Sequence, residues 1–186
     1  MLIDGIEPTE AVFPETVACI RALDERGILQ TIVSKNDWEQ AWAAIEALEL
    51  GEYFLHPAIN WGQKSESLKE ISRRLNIGLN TFALVDDSPF ERGEVSAALP
   101  QVRVYPETEI CELLRLAEFD VPVTEASRRR RQSYREEHTR QEIRAAFTGD
   151  YTTFARIVHN EARTLRFTGA LWRRCDGSML GAAWAE

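Results

Sequence analysis

The sequence predicts an α/β fold, a parallel sheet covered by helices on both faces, with a helical extension at its C-terminal end. Short β-branched runs alternate with stretches of helical periodicity across residues 14–116, the pattern of successive strand and helix units. Two of these runs lead straight into polar segments, Ser34–Asp37 and Asp86–Arg92, as strands do where their C-terminal ends open on a binding crevice. From about Thr124 the apolar stripe gives way to a charged helical stretch, SRRRRQSYREEHTRQEIRAAF. The chain therefore divides into an α/β domain over residues 1–120 and a basic, mainly helical extension over residues 121–186.

Pro14 suits the first position of a helix, where its missing N–H would have had no partner. Val17, Ile20 and Leu23 follow at helical spacing until Gly27 ends the helix, giving a span of about 14–26. Ile28–Val33 is short, apolar and rich in β-branched residues, a buried strand. Asn36 or Asp37 caps the next helix, whose apolar positions include Trp38, Trp42, Ile45 and Leu48 and which stops at Gly51. A strand near Tyr53–Ile59 comes next, then a turn over Asn60–Gln63 and an amphipathic helix built on Leu68, Ile71 and Leu75, closing at Asn76–Gly78. Phe82–Val85 is a strand, Glu91–Leu99 a short helix, Val102–Tyr105 the last strand and Ile110–Leu116 another helix, with one more expected around Tyr151–Leu165.

Composition narrows the class. The hydrophobic fraction is 44% and the charged fraction 28%, ordinary for a globular chain, and no apolar run approaches the ~20 residues that span a bilayer. The acidic opening MLIDGIEPTE has neither the basic start nor the apolar stretch of a secretory signal, so a cytoplasmic location and no membrane partner are expected. Cys19, Cys111 and Cys175 are odd in number and lack CxxC spacing, which argues against a disulfide framework or a zinc site. Residues 1–120 hold 22 acidic and 10 basic side chains, against 8 and 12 in residues 121–186. An acidic body with a basic tail invites the tail to pack on the body or on another acidic partner, whereas nucleic acid would be repelled by the body.

Three sets of residues lie at the C-terminal ends of the inferred strands. Asp86 and Asp87 are adjacent carboxylates that repel each other unless a cation such as Mg²⁺ neutralises them; the plainer alternative is that Asp87 caps the turn before Pro89. Ser34 offers a hydroxyl to a phosphoryl oxygen, or serves as a turn residue. Lys64 opens a helix, where the macrodipole disfavours a cation, so either an anion lies nearby or the side chain is solvated. Each signal is weak by itself. Together, a serine, a lysine and paired aspartates at the top of one sheet form a phosphate and metal constellation.

The segments GILQTIVSKND, INWGQKSESLKEISRRLNIGL and FALVDDSPFERGEV resemble the second, third and fourth motifs of haloacid-dehalogenase (HAD) phosphatases, and in particular the FkbH-like members of subfamily IIIC. The resemblance covers about residues 4–150. It implies a Rossmann-like three-layer α/β/α sheet and Mg²⁺-dependent dephosphorylation of a phosphorylated small molecule of the phosphoglycerate type. In that family the reaction is linked to loading an acyl carrier protein in polyketide-type biosynthesis. Carried over, Ser34 is the phosphate-binding hydroxyl, Lys64 neutralises the phosphoryl group, Lys35 and Asn36 lie in the substrate loop, and Asp86 and Asp87 hold Mg²⁺. The family nucleophile, the first Asp of a DxDxT-like motif on the first strand, has no counterpart: Asp4 lacks a strand before it and an acid two residues on, where Ile6 stands. The sheet is therefore expected to miss its first strand, the chain to be inactive in phosphoryl transfer and prone to self-association, and an apolar run ending in DxDxT to be encoded upstream of Met1. The alternative from another class is a non-catalytic module docking a carrier protein through Arg128–Arg131.

Other residues carry less. His56, His138 and His159 share no ligand spacing. Trp38, Trp42 and Trp61 are expected to be core or lid aromatics, with packing favoured over the HPAINW stretch reaching across the site, and Cys19 to be buried and inert.

Overall fold

Strands as short as these hold only when helices pack their faces, so the fold rests on how four helices cover two pairs of strands. A computed structural model describes residues 14–146. Within them run α1 (Pro14–Glu25), β1 (Val33–Ser34), α2 (Trp38–Ala47), β2 (Ala58–Ile59), α3 (Lys64–Leu75), β3 (Ala83–Asp86), α4 (Pro89–Ala98), β4 (Arg103–Pro106) and α5 (Glu125–Ala146). The chain divides into two compact units, Met1–Arg135 and Glu136–Glu186, so the first turns of α5 belong to the first unit. No helix among the described residues is long and apolar enough to cross a membrane. The expected helix near Tyr151–Leu165, Asp4, His159 and Cys175 lie outside the described residues.

The class is α/β with parallel strands, in two pairs. β1 lies parallel to β2, Val33 opposite Ala58 and Ser34 opposite Ile59; β3 lies parallel to β4, from Ala83 opposite Arg103 to Asp86 opposite Pro106. Alternation of side chains sorts the two faces. Ile32 and Ile59 join Ile20 of α1 and Ala41 and Ile45 of α2, while Val33 and Ala58 turn to Ile71 and Leu75 of α3. Likewise Leu84 and Val104 meet Leu68 of α3 and Val95 and Leu99 of α4, while Val85 and Tyr105 turn to Cys19 and Leu23 of α1. Thus α1 packs on both pairs from one side and α3 packs on both from the other.

Between the pairs, two strand edges have no strand partner among the described residues. The carbonyls of Gln30, Ile32 and Ser34 accept from the amides of Leu55 (2.8 Å), Ala58 (2.7 Å) and Asn60 (3.0 Å). Backbone direction alternates, so Leu29, Thr31 and Val33 present their N–H and C=O groups to the opposite edge. On β3 the Phe82 carbonyl accepts from Arg103 (3.1 Å), which leaves Ala83 and Val85 facing away from β4. The slot between β1 and β3 is thus bordered by two edges that have no strand partner among the described residues.

Local chemistry explains where the elements depart from the periodic pattern. The strand expected over Tyr53–Ile59 is reduced to an isolated bridge at Phe54 and the two residues of β2, because His56 between them adopts φ 48°. α2 ends at Ala47, before the expected stop, and Glu49 is left-handed at φ 55°, which turns Leu48 to solvent. The helix expected over Ile110–Leu116 is replaced by two 3-10 turns, Glu107–Glu109 and Leu113–Arg115. Seven residues are too few to sustain an α-helix by propensity, and here Arg26, just past the end of α1, holds the segment instead, donating to the carbonyls of Leu114 and Phe119, both at 2.7 Å.

The first turns of α5 pack on the acidic body. Thr124 and Ser127 cap α5 reciprocally, each side-chain oxygen accepting the other residue's amide, at 3.0 and 2.8 Å. The Ser127 hydroxyl also donates to the Glu25 carbonyl (2.7 Å). Arg131 grips Asp24 with Nε and Nη2 (2.7 and 3.2 Å), donates to the Glu52 carbonyl (2.6 Å) and lies 4.9 Å from the centre of the Tyr53 ring. Gly27 permits this approach: at φ 72° it sits under the α5 backbone, and an added Cβ would stand 2.9 Å from Ser127 Cα. Gly27→Ala should therefore lower the unfolding free energy by about 1–3 kcal/mol, read from the urea midpoint at unchanged slope, because it is strained in both conformation and space.

Candidate functional site

The C-terminal ends of β1 and β3 each deliver a short polar loop into the first turn of a helix, and two ion pairs connect the loops. Lys64, the first residue of α3, is 9% exposed, and its ammonium donates to Oδ2 of Asp86, the last residue of β3, at 2.5 Å. Asp86 is 6% exposed, and its second oxygen accepts the Ser88 amide at 3.0 Å. Across the slot, Lys35 from the loop after β1 donates to Glu91 Oε1 of α4 at 2.8 Å. A buried lysine and a buried aspartate each need a counter-charge, and sequence positions 22 apart supply it.

Helix starts hold these groups in place. Ser88 caps α4, its hydroxyl accepting the Glu91 amide (3.4 Å), and Pro89 at the first helical position presets the backbone. Arg92 reaches back one turn to donate to the carbonyls of Asp86 (2.7 Å) and Asp87 (2.8 Å), which fixes the loop that carries both aspartates. Glu94 takes the place of an anion at the start of α3, accepting from the Ser65 amide (3.3 Å) and from the Ser65 hydroxyl. The cation at that helix start is thus offset by Asp86 on its side chain and by Glu94 on the adjacent backbone.

The residues singled out by sequence are brought to one end of the strands, with different commitments. Ser34 is half-buried, its carbonyl is taken by Asn60, and its hydroxyl has no hydrogen-bond partner among the described residues. Asn36 accepts the Asp37 amide through Oδ1 (2.7 Å). Asp87 is half-buried, and its carboxylate has no partner among the described residues. The aspartate pair therefore needs no external cation to be tolerated, since Lys64 already neutralises Asp86. Among the described residues no group of three or more His, Cys, Asp and Glu side chains is placed to hold a metal ion. Two carboxylates remain, one unpaired and one with lone pairs beyond its two hydrogen bonds, a set that suits Mg²⁺ only when phosphate and water complete the shell.

Sequence reasoning missed Glu91, Arg92 and Glu94. Their position just after a Ser-Pro helix start was the available signal, because the first turn of a helix at a strand end faces the crevice. Of the aromatics, Trp42 packs on the α1–α2 core as expected. Trp38 is 46% exposed, stacked on Trp42 at 5.3 Å, and Trp61 is 69% exposed with its Nε1 donating to Asp37 (3.1 Å). Both follow strand ends. Cys19 is buried as expected and donates to the Ile110 carbonyl (3.3 Å); burial, then the neighbouring Cys111, pushes its thiol up from the ordinary range. His138 lies 3.6 Å from Glu142 one turn along α5. Of the arginine run, Arg131 is committed to Asp24 and Glu52, while Arg128, Arg129 and Arg130 stay exposed.

No family model, curated protein or solved structure matches this chain. The geometry by itself makes one strong energetic claim. Lys64→Met and Asp86→Asn should each destabilise the fold by about 3–5 kcal/mol, because each leaves a buried charge or its partner uncompensated, and the double variant should cost less than the sum. A double-mutant cycle by urea denaturation measures this coupling.

Proposed function

We propose that the crevice at the ends of β1 and β3 is the phosphate-ester site of a HAD phosphatase domain of the FkbH-like type, with the Rossmann-like three-layer sheet of that family. In this reading the Ser34 hydroxyl and the Lys35–Asn36 loop bind phosphoryl oxygens, and Lys64 neutralises the charge that builds on them. Asp86 and Asp87 would hold Mg²⁺, which when bound supplies Lewis-acid neutralisation of the phosphoryl oxygens. The ligand is a phosphorylated small molecule, phosphoglycerate-like in the family, with an acyl carrier protein as the downstream partner.

The observation that carries the reading is the Lys64–Asp86 pair, buried beside the Ser34 loop at the mouth of the slot. A lysine so placed exchanges one anionic partner for another when a phosphate arrives, at little cost in desolvation. The slot supports the reading a second way. A parallel strand between β1 and β3 would pair both edges and deliver its C-terminal residue beside the Lys64–Asp86 pair, the position from which a carboxylate attacks phosphorus in this family. Without that carboxylate, residues 1–186 bind the ester and do not turn it over. A second reading, docking of an acidic carrier protein on α5, keeps Arg128, Arg129 and Arg130 but loses Arg131 to the body.

With Mg²⁺ and a chromogenic phosphate ester, the chain should show no turnover above blank, while inorganic phosphate raises its melting temperature. Fusing an apolar strand ending in DxDxT ahead of Met1 should bring Mg²⁺-dependent turnover and a higher melting temperature still. Mg²⁺-dependent turnover by residues 1–186 alone would overturn this assignment of roles, for it would place a nucleophile within them.

A further inference from the structure

We propose that Glu91 and Lys35 form a subsite for a hydroxyl group of the bound phosphate ester, next to the phosphate place of Ser34 and Lys64. The inference rests on the phosphate-site reading and adds to it which feature of the ligand is selected.

Glu91 is 8% exposed, and only one of its oxygens is used: Oε1 accepts from Lys35 at 2.8 Å. The other, Oε2, is buried and meets no donor, the one such side-chain atom among the described residues. A buried carboxylate oxygen without a donor is costly, so an unfilled one is a place where a donor is expected. Glu91 cannot easily turn away to water. Its amide is capped by Ser88, Pro89 fixes the entry of its helix, and Lys35 holds the first oxygen.

The chemistry of the donor follows from its neighbour. Carboxylate oxygens are separated by little more than 2 Å, so whatever reaches Oε2 comes close to the Lys35 ammonium. A second cation would be repelled there. A hydroxyl is neutral, donates to Oε2 and can accept from Lys35 with its own lone pairs. The position favours a ligand as its source. Glu91 lies in the first turn of α4 and Lys35 just beyond β1, both past the C-terminal ends of the strands, whereas a strand filling the slot ends level with Ser34 and Asp86.

The test compares two esters that share a phosphate and a three-carbon chain, glycerol phosphate and propyl phosphate, by calorimetric titration of the whole chain with excess Mg²⁺, alongside inorganic phosphate. Glycerol phosphate should bind roughly tenfold or more tightly than propyl phosphate, because a site built to accept a hydroxyl is left unpaired by the analogue that lacks it. In Glu91→Gln the ratio of the two ester affinities should shrink to about twofold. Equal binding of the two esters by the unaltered chain overturns the subsite and leaves the phosphate site standing, and it decides the question even if Glu91→Gln fails to fold. An undiminished preference in a folded Glu91→Gln protein also overturns it. Absence of binding by inorganic phosphate overturns the subsite and the phosphate site together.

Discussion

A lysine ammonium and an aspartate carboxylate can share the dry end of a strand only in each other's company, and the contact between Lys64 and Asp86 sets the terms for everything around it. It ties the start of α3 to the end of β3, which keeps α3 laid across both strand pairs. It lets two adjacent aspartates coexist without an external cation, with the Asp87 carboxylate left without a partner among the described residues. It also fixes the sign of the crevice. Both lysines there are paired with carboxylates, and the crevice presents no open basic patch among the described residues.

The second organising fact is the slot. Two parallel pairs share one helix on each side, α1 and α3, while the strands that border the gap, β1 and β3, leave alternate backbone groups without a strand partner among the described residues. Packing of Val33 against residues from both pairs, together with the Lys35–Glu91 and Lys64–Asp86 bridges, holds the two halves in register. Apolar burial and ion pairing thus substitute for ladder hydrogen bonds across the centre. The arrangement is coherent but leaves its most valuable hydrogen-bonding surface open.

Much of this was legible in the order of residues. Helical spacing gave α1 within a residue, Leu68, Ile71 and Leu75 gave the buried stripe of α3, and Asn76, left-handed at φ 53°, ends it where expected. The polar loops after β1 and β3 stood out because strands run straight into them. What stayed hidden depends on distant partners. Nothing local marks Glu91 as buried; Lys35, 56 positions away, makes it so. The loss of a helix over Ile110–Leu116 depends on Arg26. The resemblance to the FkbH-like motifs supplied roles for residues whose chemistry alone left two readings each.

The clasp of α5 on α1 has a bearing on how the molecule is made. Asp24 and Arg131 are 107 positions apart, and Ser127 and Glu25 are 102 apart, so the end of α1 acquires its partners only after nearly the whole described chain has been synthesised. During synthesis α1 leaves the ribosome well before α5, so Asp24 and the Glu25 carbonyl wait for Arg131 and Ser127. Contacts of such separation close slowly, after shorter-range pairs such as β3 and β4 have formed. The body is thus finished by a segment whose composition sets it apart from that body, and the point where the charge balance changes is not the point where the nascent chain becomes a settled structure.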